Sequence, residues 1–594
     1  MAMIFKVFTG ILKAGLNAVD IALKVCFSAI NIIPIRRLSK RSSLQPSVVI
    51  VGASFAGLAC QRLLSDDFNV TLIDYKSFFE YSPGVLRLFA EPSHFANIAK
   101  PLPCQRNHAL VAEVVEVRPS EVVFTRRAPI GRGSRASAAT GNHRSPVQHE
   151  TLPFDYLVMA CGSGYTLPVV KATSKDPIDL NSRSRAWANA AESLANARRV
   201  IVVGGGAVGV ELVGEIAAAQ AHRSKANKPG SEKPLEVVLV SRSPTLLPTL
   251  PSRAGMMAQA WLEQQPCVTL RMGVGATSVR SDGVTLDDGT ELSADLVYHC
   301  GGATASPNAI LQQHFGDCLD PQSGRLLVNN HLQVVKPQEH SQQNGGSASE
   351  VNNSGAGAEV SGNMAMKPEI FAAGDCILHR GSREMQLGHT AELNAHVVAD
   401  NIIRLARYRE KGRQRCVRRS TSDNQNQPKT SSINEKRDAA SEGGPALLTY
   451  PEGAHGLKQS PQVYCVSLGP NYAVLCFNGL VRSGFLPALL KWLIEWTKVL
   501  LSCTPPRYPF ASAAKMIYRT LFLCIFEVRM PDCSALYSSI SLSPGILSSR
   551  PYITARPFSC KLGRCVRGAA CWDALLAFRR LGSCIRDLGN LGCA

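Results

Sequence analysis

Two stretches of this chain set glycines at intervals that suit the binding of a diphosphate. Residues 200–215, VIVVGGGAVGVELVGE, place Gly204, Gly206 and Gly209 directly after an apolar run, with Ala207 and Val208 between the last two; Gly214 and Glu215 extend the pattern. Residues 47–74, SVVIVGASFAGLACQRLLSDDFNVTLID, repeat the arrangement, with Gly52 and Gly57 flanking Ala53, Ser54, Phe55 and Ala56. The first glycine of such a turn permits a tight reversal, and the last lets helix and strand approach. The helix mouth offers backbone N–H groups and a positive dipole end to a pyrophosphate. Ser54 replaces the usual middle glycine, but it is small and its hydroxyl can itself donate to phosphate. Asp74, with Lys76 just beyond, stands where a carboxylate accepts from ribose hydroxyls. The second unit instead reads Ser241-Arg242-Ser243. Without a carboxylate, repulsion against a 2′-phosphate is gone and Arg242 can pair with one; an exposed loop arginine is the alternative.

These turns carry meaning only between a strand and a helix. Val48–Val51 and Val70–Ile73 read as buried parallel strands around the first turn, and Leu235–Val240 as the strand that follows the second after a polar insertion. A single unit of this kind can be purely structural. Two in one chain are far more specific.

Further motifs follow in a set order. Asp155–Ser163 (DYLVMACGS) contains Cys161-Gly162, residues 295–308 (DLVYHCGGATASPN) contain Gly301, and residues 369–376 (EIFAAGDC) contain Gly374-Asp375. Residues 386–392 (QLGHTAE), with His389 and Thr390, open an apolar helix that runs to Ile403. With the two glycine turns, this series resembles the two-dinucleotide-binding-domain flavoproteins of the pyridine-nucleotide oxidoreductase superfamily. Within it, the chain is most similar to the apoptosis-inducing-factor-like, ferroptosis-suppressor-type quinone reductases, and more distantly to the type II NADH dehydrogenases. The resemblance implies an α/β chain with two Rossmann-type dinucleotide-binding domains in a glutathione-reductase-like FAD/NAD(P) fold, plus a small C-terminal α+β segment. It implies FAD as cofactor and NADH or NADPH as electron donor, with Gly374-Asp375 at the ribityl chain and the helix after Gln386 aimed at the flavin. Cys161 stands in place of the family's threonine, and the double-glutamine quinone signature of type II NADH dehydrogenases is absent. His389 reads either as a proton relay or as a hydrogen-bonded helix-cap residue.

The order of motifs divides the chain into an amphipathic membrane or targeting segment (1–46), the first part of an FAD domain (47–170) and an NAD(P) domain (198–305). The second part of the FAD domain (306–405) carries an insertion at 337–366. A basic low-complexity insertion (406–446), a hairpin with an amphipathic helix (447–504) and a disordered tail (505–594) complete it. On a helical wheel, Lys6, Lys13, Asp20 and Lys24 share one side of residues 2–33, which suits an in-plane interfacial helix or a mitochondrial targeting segment better than a transmembrane span. In Phe485–Leu501, Lys491, Glu495 and Lys498 share one face while Trp492 and Trp496 lie on the rest, which reads equally as a membrane-surface helix or as one docked on the FAD domain.

The net charge of +19 is concentrated in segments such as 36–41 and 404–419 and comes without a nucleic-acid fold signature, so no nucleic-acid partner is expected. Most of the nineteen cysteines are isolated, which points to a reducing compartment, and no metal site is expected. Disulfide reductases of the superfamily carry a C-x-x-x-x-C pair shortly after the first fold; between Asp74 and Asp155 this chain has only Cys104. The expected activity is therefore NAD(P)H:quinone oxidoreduction at a membrane surface, mitochondrial or other. Homodimerisation is left open. The alternatives are a reductase feeding a protein partner and a redox-sensing protein that holds FAD and NAD(P)H without turnover.

Overall fold

The computed structural model describes residues 45–102, 109–126, 148–167, 169–170, 179–226, 235–305, 308–337, 367–379, 381, 386–422, 444–451 and 463–503. The expected interfacial or targeting helix, residues 338–366 of the insertion and the tail from 505 lie outside those residues.

Continuous β-branched runs build the parallel cores of two sheets, the first of them with an antiparallel edge. In the first, β1 (Ser47–Val51) lies between β2 (Asn69–Asp74) and β6 (Tyr156–Met159), with Val48 opposite Val70 on one side and Tyr156 on the other. The strand Ile370–Ala372 extends the parallel part beside β6. On the opposite edge, β3 (Ala109–Val117) pairs parallel with β2, then antiparallel with β4 (Glu121–Arg126), which pairs with β5 (Glu150–Pro153). Val48, Ile50, Leu72 and Leu157 are fully buried, as strands covered on both faces require. The helix α1 (Phe55–Leu64) packs above this sheet and turns Leu58, Ala59 and Leu64 inward.

The second sheet repeats the plan. Strands β7 (Arg199–Val203), β8 (Glu236–Ser241), β9 (Val268–Met272) and β10 (Leu296–His299) are parallel in the order β9-β8-β7-β10. Preceding it is α2 (Leu180–Asn196), capped by Asp179, whose carboxylate accepts from Ser182 N at 2.9 Å. Between β7 and β8 runs α3 (Ala207–Ala226). Both sheets thus form at their expected places in the chain, and both first turns open helices.

Two expectations change toward the C-terminus. The helix expected to stop at Ile403 runs on as α4 (Gly388–Ser422), so the first part of the supposed low-complexity insertion is helical. Residues 404–422 hold arginine, lysine, glutamate and glutamine with no proline, and these straight side chains keep high helix propensity without an apolar face. The expected hairpin is a three-stranded antiparallel sheet, β11 (Val463–Ser467), β12 (Ala473–Phe477) and β13 (Leu480–Gly484). Asn478 and Gly479, both at positive φ, form the tight second turn. The final helix, α5 (Phe485–Cys503), follows directly. Among the described residues no helix is long and apolar enough to cross a membrane.

Candidate functional site

Three glycines meet at the carboxyl ends of the first sheet's strands: Gly52 (φ +108°), Gly162 (φ +71°) and Gly374 (φ +81°). Crevices outside such strand ends are where open α/β sheets bind ligands. A β-carbon on Gly52 would overlap the Ala160 carbonyl, and one on Gly57 would overlap the Gly52 carbonyl. Both positions therefore exclude any side chain. Ser54 is the N-cap of α1 and makes no side-chain capping bond, while Leu58 N donates to its carbonyl at 2.9 Å. Ala56 is buried, and Phe55 stands half-buried at the mouth, edge-on to Phe79 and Tyr81 at 5.7 Å each. Asp74 accepts from Ala53 N (2.7 Å) through one oxygen and from Lys76 N (3.0 Å) through the other, and Lys76 Nζ lies 3.2 Å from it. Cys161 points its Sγ toward the Val51 carbonyl at 3.8 Å, which suits a wall residue.

Across the crevice, Ser163 Oγ donates to Asp375 at 3.1 Å, and Gln386 Nε2 donates to the Asp375 carbonyl at 2.9 Å. Asn394 accepts from Gly374 N at 3.1 Å. His389 and Thr390 sit in the first turn of α4, where Thr390 Oγ1 donates to the Leu387 carbonyl at 2.8 Å. Gly388 packs on the Phe55 ring, so the mouths of α1 and α4 converge on one space. Two helix N-termini aimed at a common crevice favour a ligand that carries or develops negative charge.

The second turn is built alike. Gly204 has φ +123°, and a β-carbon on Gly209 would overlap the Gly204 carbonyl. Gly206 faces open space, with nothing within 4 Å of an added β-carbon, and Ala207 and Val208 follow in the first turn of α3. This is a cradle of the right kind for a second diphosphate. Gly301 N donates to Thr166 Oγ1 at 3.2 Å, near the exit of β10. Arg242 is exposed at the end of β8, over the backbone of Gly275 and beside Asp287.

Glu215 does not join this mouth. It is buried two turns along α3, where Gly214 packs on Leu468, and burial pushes its carboxyl above the ordinary range. The residue nearer the mouth is Glu211, which sequence reasoning passed over. It accepts from Ser467 N at 2.8 Å and pairs with Lys491 of α5. Burial would lower Lys491, but Glu211 overrides it and holds the ammonium above its usual value.

The polar face of α5 is turned inward. Lys491 meets Glu211 on α3, Glu495 meets His94 (2.7 Å), and Lys498 meets Glu392 on α4. Burial would raise Glu392, yet Lys498 and Arg62 hold it below the usual carboxylate range. A carboxyl depressed in the folded state contributes stability above its unfolded pKa and loses it as pH falls through the folded value. Glu392→Gln is therefore expected to lower the melting temperature at neutral pH, with the two proteins converging in acid. A parallel pH dependence for both would show that the carboxylate contributes nothing.

Burial pushes Cys60, Cys300 and Cys465 up to about 12, so these thiols behave as small apolar side chains.

Two glycine-turn crevices, each at the ends of parallel strands in its own sheet, define a dinucleotide-using flavoprotein. Residues 46–338 match the pyridine nucleotide-disulphide oxidoreductase family and form a domain of that kind, with FAD and a pyridine nucleotide as its cofactors. It is 25% identical over 315 residues to apoptosis-inducing factor homolog B of Dictyostelium discoideum, covering 49% of this chain and 72% of that one. It is 25% identical over 379 residues to ferroptosis suppressor protein 1 of Taeniopygia guttata (62% and 83%). With the type II NADH:quinone oxidoreductase Ndh of Mycobacterium tuberculosis it shares 26% over 265 residues (41% and 53%). Among solved structures, NDH2 from Plasmodium falciparum in complex with NADH has the same fold at a TM-score of 0.51 and 11% identity, covering 77% of this chain and 97% of that one.

Proposed function

We propose that this protein oxidises NAD(P)H and passes the electrons to a quinone held at a membrane surface. When bound, FAD supplies two-electron chemistry between donor and acceptor. The chain's own residues divide the work. Gly52, Ser54, Phe55, Ala56, Gly57, Asp74 and Lys76, with Cys161, Gly162, Gly374, Asp375, His389 and Thr390, would hold the flavin nucleotide. Gly204, Gly206, Ala207, Val208 and Gly209, with Arg242 and Gly301, would hold the pyridine nucleotide. Glu215 lies outside that set for the reason given above.

The observation that carries the acceptor is the orientation of α5. Its charged row docks on both nucleotide helices, while Leu486 stays 40% exposed and Trp492 and Trp496 remain half-buried. Ala488, Leu489, Leu490, Leu493 and Val499 are buried beneath the helix, so the apolar surface left at the outside includes Leu486 with the edges of the two tryptophans, a pairing that suits a bilayer interface, where a lipid-soluble acceptor resides. The name of one relative, a type II NADH:quinone oxidoreductase, supports the same acceptor. A mitochondrial or other membrane in a reducing compartment fits this reading, and a homodimer is compatible with it.

The test is purification of the full chain, a flavin spectrum, and NADH and NADPH oxidation with and without a soluble ubiquinone analogue. Rapid quinone-dependent oxidation is expected, with flotation on vesicles containing anionic lipid. Turnover only with an iron–sulfur protein, or a long-lived reduced complex with no efficient acceptor, would replace this reading. In the same assay Arg242→Ala is expected to raise the KM for NADPH roughly tenfold while leaving NADH nearly unchanged, the loss of one charge-assisted phosphate contact. Equal changes for the two donors would remove Arg242 from the site.

A further inference from the structure

One buried pair beside the first crevice has no part in holding either nucleotide. His94, 6% exposed, lies between the 3₁₀ helix Ser82–Phe89 and the short helix Phe95–Ile98, and its Nε2 sits 2.7 Å from Glu495 Oε1 on α5. On the outer side, Nδ2 of the exposed Asn97 lies 3.3 Å from His94 Nδ1. On the inner side, the second oxygen of Glu495 faces Gly84, where an added β-carbon would stand 2.6 Å from it and 3.2 Å from the Tyr81 ring. Tyr81 in turn meets Phe55 at the mouth of α1. The groups therefore stand in series from the exposed Asn97, through imidazole and carboxylate, to Gly84, whose other neighbour is the Tyr81 ring at the crevice.

Position 84 is glycine where the carboxylate needs room to approach. The charged groups on the packed elements are already matched: Arg87 with Glu91, Arg183 with Glu80, Lys491 with Glu211 and Lys498 with Glu392. Lys100 donates to the Ala96 carbonyl, and Arg482 on β13 is exposed. His94 and Glu495 are left to each other.

We propose that His94 and Glu495 form the proton relay that serves the acceptor; this rests on the quinone reading above. The overall reaction, NAD(P)H + H⁺ + quinone → NAD(P)⁺ + quinol, moves two electrons and one proton as hydride equivalents from the donor. The second proton must come from water. The pair releases one proton to the reduced acceptor by way of Glu495 and regains one from solvent by way of His94, so it returns to its starting state each cycle. A buried imidazole hydrogen-bonded to a carboxylate is chemically suited to this, since both side chains are general acid–base groups and they lie within proton-transfer distance of each other.

The experiment compares Glu495→Gln, His94→Gln and Gly84→Ala with the unaltered holoprotein, using a ubiquinone analogue, which takes up protons, and ferricyanide, which takes up only electrons. Quinone turnover is expected to fall roughly 100-fold in the first two variants, the range of general acid–base contributions, with ferricyanide turnover and flavin content unchanged. Gly84→Ala, which displaces the carboxylate, is expected to follow in part. In the resting protein labelled with ¹⁵N-histidine, the His94 Nε2 resonance is expected to shift in Glu495→Gln, reporting the pair without turnover. A matched loss with both acceptors marks a structural role and overturns the relay, as does full quinone activity in the variants or an unmoved His94 resonance. Unaltered protein that reduces ferricyanide but no quinone overturns the acceptor reading first, and the relay with it.

Discussion

Gly57→Val is expected to yield colourless protein. The β-carbon would overlap the Gly52 carbonyl, and Gly52 cannot retreat because its own added carbon would strike the Ala160 carbonyl. Gly52 N also donates to the Ile73 carbonyl at 2.8 Å, which fixes the turn to β2. The clash is with backbone on both sides, so relief means lifting α1 off the sheet and closing the helix mouth. Overpacking of this kind costs about 3 kcal/mol or more when the neighbours cannot move. Flavin absorbance per mole of purified protein is the measurement, and a stoichiometric yellow variant would refute the assignment of this turn. Gly206→Ala is the control. Nothing lies within 4 Å of its added carbon, so fold and flavin should survive while pyridine-nucleotide affinity falls.

The second large effect is expected at Glu80. Its carboxylate takes both ends of the Arg183 guanidinium at 2.9 Å and the Trp187 indole N–H at 3.0 Å. Arg183 and Trp187 are 1% and 0% exposed, and the guanidinium also stacks over the indole ring at 5.0 Å. Glu80→Ala leaves a cation without its counter-charge inside the protein, and the expected loss is about 3–5 kcal/mol in urea unfolding. Replacing both partners, as Glu80→Leu with Arg183→Met, should recover much of that loss, because an apolar pair of similar volume need not be solvated. A double variant no more stable than Glu80→Ala would mean that the ion pair has a role beyond neutralising Arg183.

What could be read beforehand was local. A glycine turn, its strand and its helix occupy one short stretch, and the reason for each glycine is a clash with a backbone atom a few residues away or on the neighbouring strand. What escaped was long-range. Glu211 and Lys491 are separated by 280 positions, and His94 and Glu495 by 401. No periodicity within either segment announces such partners. The helical wheel of α5 correctly grouped Lys491, Glu495 and Lys498, but a wheel reports which residues share a side and not which side faces the protein. Charged residues usually face water; here three complementary groups on separate elements reverse that preference. The overrun of α4 has a simpler cause: the apolar stripe ends at Leu405, while side chains of high helix propensity carry the helix on without one.

The inward row of α5 makes the C-terminal helix a strut that ties α3, α4 and the segment carrying His94 to one another. A shortened chain stopping before Phe485, by alternative splicing or proteolytic trimming, would retain every glycine of both turns. It would nonetheless strand Glu211 and Glu392 without their ammonium partners and expose the groove that α5 fills. Such a product would lose its grip on both cofactors at once, although not one nucleotide-cradling residue had been removed.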